Sequence, residues 1–231
     1  MQDIILLHGA IGAADQLQPL AQALSARGFK VHTLSFSGHG GEPFQELFGI
    51  EQFAAELYQY IIEKNLEHPH LFGYSMGGYV GLYLAAQKEQ LLGKVATLAT
   101  KFDWTPEGAR KESAMLDPDT LQQKVPQFAQ ALQQRHGQSQ WEALLARTAD
   151  MMHTMGARPP LDEAACAAIQ LPVLLGIGDQ DSMVSVAETR AVLAQLPKAN
   201  MYMLPATKHP LETVPAELLA TILAHFYQVN Q

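Results

Sequence analysis

The stretch Leu71–Gln87, LFGYSMGGYVGLYLAAQ, decides the fold. An apolar run turns there into a helical run, and three glycines, Gly73, Gly77 and Gly78, surround Ser75. A glycine inside a strand or helix costs about 1 kcal/mol relative to alanine, so these three need a local reason. A tight turn from strand to helix supplies it, because the residues two before and two after the serine must be nearly free of side chain.

The segment GYSMG at 73–77 fits the pattern G-x-S-x-G, with a predicted strand before it and a predicted helix after it. In that context the serine adopts a strained backbone conformation, and its hydroxyl stands clear of the sheet. The N–H of Met76, at the start of the helix, is free to point at an oxyanion near Ser75. The alternative, a glycine-rich turn with an incidental serine, is disfavoured by the strand-to-helix context.

Short apolar runs alternate with longer amphipathic runs along the chain. The predicted strands are Ile4–His8, Lys30–Ser35, His70–Tyr74, Lys94–Ala99, Pro172–Ile177 and Asn200–Leu204. The predicted helices are Gln16–Arg27, Ile50–Asn65, Met76–Gln87, Val186–Gln195 and Pro215–Val229. Runs that are apolar on both faces, such as DIILL at 3–7, are typical of a parallel sheet covered by helices. The alternation therefore predicts an α/β fold with a doubly wound sheet.

One region interrupts this alternation. Residues 101–158 contain no strand-like run and are instead polar, rich in glutamine and helical in pattern. Pro106, Pro118 and Pro126 mark predicted helix starts or kinks. Because this is more helix than one crossover requires, we predict an inserted helical cap at 101–158 in a core formed by 1–100 and 159–231.

A serine hydroxyl is a weak nucleophile near neutral pH, so it needs a base, and the base needs an orienting carboxylate. After the predicted strand 172–177 comes DQDSMV, and after the predicted strand 200–204 comes ATKHPLETV. The order Ser75, aspartate, His209 is the order expected when all three groups lie at the carboxyl ends of parallel strands. His209 on its own would be taken for a loop histidine, and the serine turn makes it the predicted base.

Three aspartates are candidates for the orienting carboxylate. Asp181 is favoured, because it lies deeper in its loop, just before SMV. Asp179, two residues earlier, is an alternative whose other role would be to cap the next helix or order the turn. Asp103, just past the strand KVATLA, is the third candidate.

The loop after the first predicted strand, LLHGAIGA at 6–13, is expected to supply a second oxyanion donor. Gly9 allows a sharp turn, which leaves the N–H of Ala10 free to converge with that of Met76. The loop lacks G-x-G-x-x-G, so a dinucleotide site is set aside. His8 and His39 are interpreted as structural residues of the loops at this end of the sheet.

Composition narrows the class of function. The chain has 231 residues, of which 48% are hydrophobic and 16% charged, and its net charge is −8. An acidic chain without basic runs argues against nucleic acid as a partner. The single cysteine, Cys166, excludes an intrachain disulfide and is interpreted as a core residue, and no metal site is implied. No signal peptide or membrane span is recognised, so the expected location is the cytoplasm.

Five segments together resemble the α/β-hydrolase superfamily, in its branch of small single-domain bacterial serine carboxylesterases with a helical cap. They are LLHGAIGA, SGHG at 37–40, GYSMGG at 73–78, GDQDSMV at 178–184 and KHPLE at 208–212. The resemblance implies an α/β-hydrolase fold with a predominantly parallel sheet of about six strands, because the usual first two strands have no counterpart. It also implies a triad and two oxyanion donors, and no cofactor. These residues are Ser75, Asp181 and His209 for the triad and Ala10 and Met76 for the donors.

The resemblance and the cap lead to a functional hypothesis. It is a serine hydrolase that cleaves a small-molecule carboxylic ester of small to medium acyl chain, acting as a monomer or homodimer. The cap residues expected to bind substrate are Trp104, Met115, Trp141 and Met152, although each also suits the cap's own core.

One alternative stays open. Tyr74 precedes the serine where histidine is commoner, and it also occurs in a related menaquinone-pathway lyase, so a non-hydrolytic lyase or C–C bond hydrolase of the same fold is possible. Arginines that face the pocket would be consistent with a lyase. The cap offers Arg110, Arg135, Arg147 and Arg158.

Overall fold

Six parallel strands form one sheet in the computed structural model, which describes residues 1–229. They are β1 (Asp3–Leu7), β2 (Lys30–Leu34), β3 (His70–Tyr74), β4 (Val95–Leu98), β5 (Val173–Gly178) and β6 (Ala199–Leu204). Their order across the sheet is β2-β1-β3-β4-β5-β6, and every neighbouring pair is parallel. All six strands predicted from the sequence are confirmed, with ends that differ by at most one residue.

Ten helices connect and cover the strands in the described part of the chain. They are α1 (Gln18–Ser25), α2 (Ile50–Glu63), α3 (Met76–Lys88), α4 (Pro106–Ser113), α5 (Pro118–Lys124), α6 (Pro126–His136), α7 (Trp141–Ala157), α8 (Glu163–Ala168), α9 (Val186–Gln195) and α10 (Ala216–Gln228). The helix predicted at Gln16–Arg27 is in two parts. A 3-10 turn at Ala14–Leu17 precedes α1, which starts beside Pro19, a residue that has no N–H to donate and is favoured in a first helical turn.

The hydrophobic core has two layers, one on each face of the sheet. Successive residues of a strand point to opposite faces, so Ile5 and Leu7 of β1 join one layer while Ile4 and Leu6 join the other. The first layer includes buried side chains of α2 and α3, and the second those of α1 and α10. Strands buried on both faces explain why the apolar runs do not alternate with polar residues.

Helices α4–α7, which we call the cap helices, lie between β4 and β5 in the sequence. Pro106, Pro118 and Pro126 are each the first residue of a helix, where a missing N–H costs nothing, so their prediction as helix starts is confirmed. Helices α4 and α7 pack closely, since a Cβ added at Gly156 would lie 2.6 Å from that of Ala109. The division into a core of 1–100 and 159–231 and a cap of 101–158 stays a prediction.

Candidate active site

Ser75 sits on the turn between β3 and α3, at φ +50° and ψ −116°. A non-glycine residue in such a sparsely populated region costs about 1–3 kcal/mol, so the surroundings must enforce the conformation. They do so by crowding: a Cβ at Gly73 would lie 2.2 Å from the nitrogen of Gly78, and one at Gly77 would lie 2.5 Å from the oxygen of Leu7. The turn predicted from these glycines is present.

Hydrogen bonds hold the backbone of Ser75 in place. Its N–H donates to the carbonyl of Leu98 at the end of β4 (2.8 Å), and its carbonyl accepts from the hydroxyl of Thr100 (3.0 Å). The same carbonyl also accepts from the N–H of Gly78 in α3 (3.0 Å). The hydroxyl therefore stands on a backbone fixed from both the sheet and the helix.

His209 and Asp181 form a hydrogen-bonded pair. Nδ1 of His209 lies 2.8 Å from Oδ2 of Asp181, whose side chain is fully buried. The other carboxylate oxygen accepts from the N–H groups of Met183 (2.8 Å) and Val184 (2.9 Å). Burial alone would raise the pKa of Asp181, but the hydrogen bonds from His209 and these N–H groups hold the pKa below its usual value. The carboxylate is thus ionised and aimed at the imidazole.

The other two candidate aspartates are engaged elsewhere. Asp179 accepts the N–H of Thr207 through Oδ1 (3.1 Å), which orders the turn between the two loops. Asp103 is exposed and lies at the start of the cap segment, where its N–H faces Glu188 (3.4 Å). Of the three, the structure brings Asp181 to His209.

Tyr74, the residue before the serine, positions the histidine loop. Its hydroxyl donates to the carbonyl of His209 (2.7 Å), and the two rings lie 5.6 Å apart between centroids. Burial, with the carboxylates of Glu212 and Asp181, raises the pKa of Tyr74 well above its usual value, so the hydroxyl keeps its proton. The sequence marked Tyr74 as a departure from the usual pattern but not as a contact of His209.

Ser75 and His209 line the same cavity. Within residues 1–229 no hydrogen bond joins the serine hydroxyl to the imidazole. Nε2 of His209 is left for that contact, since Nδ1 is engaged by Asp181. Catalytic hydrogen bonds are often long in unliganded proteins and tighten when a substrate is bound.

Ala10 and Met76 line this cavity too. The N–H of Met76 is the first in α3 and has no acceptor within the helix. The N–H of Ala10 makes no backbone hydrogen bond in the described chain. The assignment of these two N–H groups as oxyanion donors stays a prediction.

Three buried histidines hold three consecutive carbonyls of the Ala10 loop. His8 donates to Gly9 (2.7 Å) through Nδ1, and His39 donates to Ala10 (2.6 Å) through Nε2. His136, from cap helix α6, donates to the carbonyl of Ile11 (3.0 Å) through Nε2. We call these three side chains the histidine clamp. Structural roles for His8 and His39 agree with the sequence analysis.

The hydrogen bonds of His8 and His136 require neutral imidazoles, whereas His39 faces a second carbonyl, that of Ser37, through Nδ1 (3.0 Å). The second nitrogen of His8 accepts the N–H of Phe36 (3.1 Å), and that of His136 accepts the N–H of Gly40 (3.0 Å). Burial lowers the pKa of all three, that of His136 to about 4. No sequence pattern points to His136, because its contact with the loop depends on how α6 docks.

The cavity has a volume of about 50 Å³, which is small for a small-molecule site. Its lining is Ala10, Ile50, Ser75, Met76, Tyr79, Lys101, Trp104, Glu112, Met151, Met152, Met155, Met183, Val184 and His209. Of the predicted substrate-binding residues, Trp104 and Met152 lie here. Trp141 instead fills the cap's own core, and Met115 is exposed on the outside of the cap. Sequence analysis did not single out Ile50, Tyr79 or Glu112.

The four cap arginines proposed for a lyase do not line the cavity in the described chain. Arg135 pairs with Asp15 (3.3 Å), and Arg147 donates to the carbonyl of Gln45 (3.0 Å). Arg110 and Arg158 are exposed. These four arginines therefore do not contribute to the pocket, which Lys101 alone of the described lysines and arginines lines.

Residues 1–229 contain neither a candidate metal site nor a candidate membrane-spanning helix. No group of three or more His, Cys, Asp or Glu side chains is arranged there to hold a metal ion. No helix there has the length and apolar character needed to cross a membrane. Cys166 is buried in α8, where burial raises the pKa of its thiol to about 11, so it is a core residue as predicted.

The amino-acid sequence is similar to those of known proteins. The model of the alpha/beta hydrolase fold family matches residues 4–152. A Xenopus laevis sn-1-specific diacylglycerol lipase ABHD11 is 29% identical over 96 residues, which is 41% of this chain and 31% of that protein. A Vibrio cholerae pimeloyl-[acyl-carrier protein] methyl ester esterase is 28% identical over 120 residues, 52% of this chain and 44% of that one. The chain spans less than half the length of these curated relatives.

Solved structures match over nearly the whole chain. The enol-lactonase from Burkholderia xenovorans LB400 superimposes with a TM-score of 0.76 at 20% identity, over 99% of this chain and 92% of that one. The 2-hydroxy-6-oxo-6-phenylhexa-2,4-dienoate hydrolase from Rhodococcus sp. strain RHA1 gives 0.79 at 18% identity, over 99% and 91%. At these identities the likeness shows a shared fold.

Proposed function

The chain belongs to the alpha/beta hydrolase fold family, and we propose that within it this protein is a serine hydrolase that cleaves carboxylic esters of small to medium acyl chain. One observation carries the proposal. His209, which is hydrogen-bonded to Asp181 (2.8 Å), lines the same cavity as Ser75. Ser75 itself lies on a strained turn. This arrangement supports the assignment of Ser75 as nucleophile, His209 as base and Asp181 as orienting acid.

Acylation follows from these positions. Nε2 of His209 takes the proton of the Ser75 hydroxyl while Oγ attacks the ester carbonyl carbon. The carbonyl oxygen becomes an oxyanion and accepts hydrogen bonds from the N–H groups of Ala10 and Met76, each worth about 3 kcal/mol in the transition state. Asp181 keeps the other imidazole nitrogen protonated and stabilises the imidazolium.

Collapse of this intermediate breaks the ester C–O bond. His209 returns its proton to the departing alkoxide, which leaves as the alcohol, and the acyl group stays on Ser75. A water molecule then gives a proton to His209 and attacks the acyl carbon. The second collapse releases the carboxylic acid and restores the proton to Ser75.

The methionine side chains that line the cavity support the substrate range. Met151, Met152 and Met155 come from cap helix α7 and form one wall. Unbranched thioether chains adapt to varied shapes, which suits acyl chains of different length. The names of both curated relatives describe ester hydrolases, an esterase and a lipase, and this agrees with the proposal. A monomeric or dimeric state and a cytoplasmic location stay predictions.

The test is turnover of p-nitrophenyl esters from acetate to decanoate by the wild-type protein and by Ser75→Ala. We expect chain-length-dependent turnover in the wild type and a loss of about 10⁶-fold in kcat for the variant. Ser139→Ala, at an exposed turn in the cap, is the matched control and should keep full activity. Absence of turnover in a folded wild type, or equal turnover in Ser75→Ala, would overturn the proposal.

A further inference from the structure

A buried carboxylate on the cavity wall lacks a full set of partners. Glu112 of α4 is 5% exposed, and its Oε2 accepts no hydrogen bond from any residue in 1–229. Its Oε1 lies 4.0 Å from Nζ of Lys101, at the limit of an ion pair. Both side chains line the cavity that contains Ser75 and His209. The pair is therefore part of the substrate's surroundings.

A second carboxylate, which is only partly buried, has the hydrogen bonds expected of a structural role. Glu56 accepts from the N–H of Ser37 (2.9 Å), from the hydroxyl of Ser37 (2.6 Å) and from the side chain of Gln52 (3.1 Å). Burying a carboxylate without such bonds is costly, and an apolar residue would fill the same space without that cost. The unused oxygen of Glu112 thus points to a partner that is not part of the chain.

Lys101 is held close to Glu112 by its own loop. The N–H of Phe102 donates to Glu188 (3.1 Å), and the indole N–H of Trp104 donates to the carbonyl of Lys101 (3.1 Å). The ammonium lies 5.8 Å from the centre of the Trp104 ring. An ammonium carries three donors, so Lys101 can donate to a ligand while it faces Glu112.

We propose that Glu112 and Lys101 bind a hydroxyl group of the substrate, so that the preferred ester carries a hydroxyl in its acyl part or its alcohol part. A hydroxyl donates one hydrogen bond and accepts others, which matches an unused carboxylate oxygen beside an ammonium. The two charges cancel, so the pair favours neither a cationic nor an anionic substrate. This inference rests on the proposed esterase function and specifies its substrate.

The experiment compares esters that differ by hydroxyl groups alone. Ethyl butyrate against ethyl 3-hydroxybutyrate tests the acyl part, and propyl butyrate against glycerol monobutyrate tests the alcohol part. Turnover is followed by acid release. In the wild type we expect kcat/KM to favour the hydroxylated member of one pair by about 10-fold or more, because a buried site for a hydroxyl is left unpaired by the plain ester.

The variant is Lys101→Met with Glu112→Leu, made together so that no charge is left buried alone. Such replacement of an ion pair by apolar residues is often neutral or stabilising, so this variant should fold. The hydroxyl preference is expected to fall to within about 3-fold of unity, since a lost hydrogen bond to a charged group accounts for the difference. The matched control is Glu107→Leu with Lys111→Met, two exposed positions of the same helix, which should keep the wild-type preference.

The outcomes separate this inference from the proposed function. If the wild type turns over neither these four esters nor the p-nitrophenyl esters, the esterase function itself fails. If it turns over the p-nitrophenyl esters but none of these four, only the hydroxyl site is overturned. If all four esters are turned over but neither hydroxylated member is preferred, only the hydroxyl site is overturned. A preference that persists in the Lys101→Met, Glu112→Leu variant would also overturn it.

Discussion

The two sides of the cavity are built in different ways. The side that we call the floor consists of Ala10, Ser75, Met76 and His209, and the side that we call the roof consists of Trp104, Met151, Met152 and Met155. Loops of the floor are fixed by hydrogen bonds of 2.6–3.0 Å, among them those of the histidine clamp and of Asp181. Methionines of the roof make no such directional bonds. Bond-making chemistry needs fixed geometry, whereas substrate choice tolerates adaptable contacts.

The largest effect should come from the floor. Asp181→Asn is expected to lower kcat by about 10⁴-fold with the fold intact, because the amide favours the wrong tautomer of His209. Asp179→Asn is the matched control, since Asp179 orders a turn and does not contact the histidine. Steady-state kinetics of both variants on the best ester make the comparison. If Asp179→Asn were the more damaging change, the assignment of the acid would be wrong.

His136 tests whether the cap acts on the floor. His136→Phe removes the donor to the Ile11 carbonyl and the acceptor for Gly40, so the loop that carries Ala10 is less constrained. We expect kcat to fall about 10-fold with KM little changed, since the oxyanion donors act mainly in the transition state. His225→Phe, at an exposed position of α10, should have neither effect. A variant that changed KM and left kcat intact would place His136 in substrate binding instead.

The same histidine should make stability depend on acidity. The folded state lowers the pKa of His136 from 6.5 to about 4 through burial, so the unfolded chain binds the proton more readily. Stability is therefore present above pH 6.5 and falls by about 1.4 kcal/mol per pH unit for this group as pH drops toward 4.

Urea unfolding of the wild type and of His136→Phe, at pH 7 and at pH 5, measures this contribution. The wild type should lose about 2 kcal/mol more than the variant over this interval. Equal losses in the two proteins would show that His136 is not held neutral in the fold. His8, His39 and His70 are further buried histidines whose pKa is lowered by burial, that of His70 to about 4, so some acid sensitivity should remain in the variant.

The smallest effect is expected from the roof. Met152→Ala should lengthen the preferred acyl chain by about two carbons, because the smaller side chain leaves more space in the cavity. The value of kcat/KM on the best ester should change by less than about 3-fold. Met115→Ala, at an exposed methionine of the cap, is the control and should leave the chain-length profile unchanged. A profile that shifts equally in both variants would argue against the roof as the site of selection.

The contrast between floor and roof also separates the features that can be predicted from the sequence from those that cannot. The six strands, the glycines around Ser75 and the prolines that start three cap helices follow from local sterics and from burial on two faces. Asp181 was favoured over Asp179 from its place in the loop, and the structure brings it to His209.

The cap residues that line the cavity are harder to predict from the sequence. Trp141 and Met115 were expected at the substrate but lie in the cap core and at its surface, whereas Glu112 was not singled out. Which face of a short helix meets the cavity depends on how α4, α6 and α7 dock. That docking is set by contacts between residues far apart in the chain, such as His136 with Ile11.

The most direct test of the central claim is covalent labelling by a fluorophosphonate, read by peptide mass spectrometry. The account predicts one adduct, on Ser75, and a labelling rate that falls by at least about 10³-fold in His209→Gln, because the serine then lacks its base. His153→Gln, an exposed histidine of α7, serves as the control. An adduct on another residue, or a rate that His209→Gln leaves unchanged in a folded protein, would contradict the account.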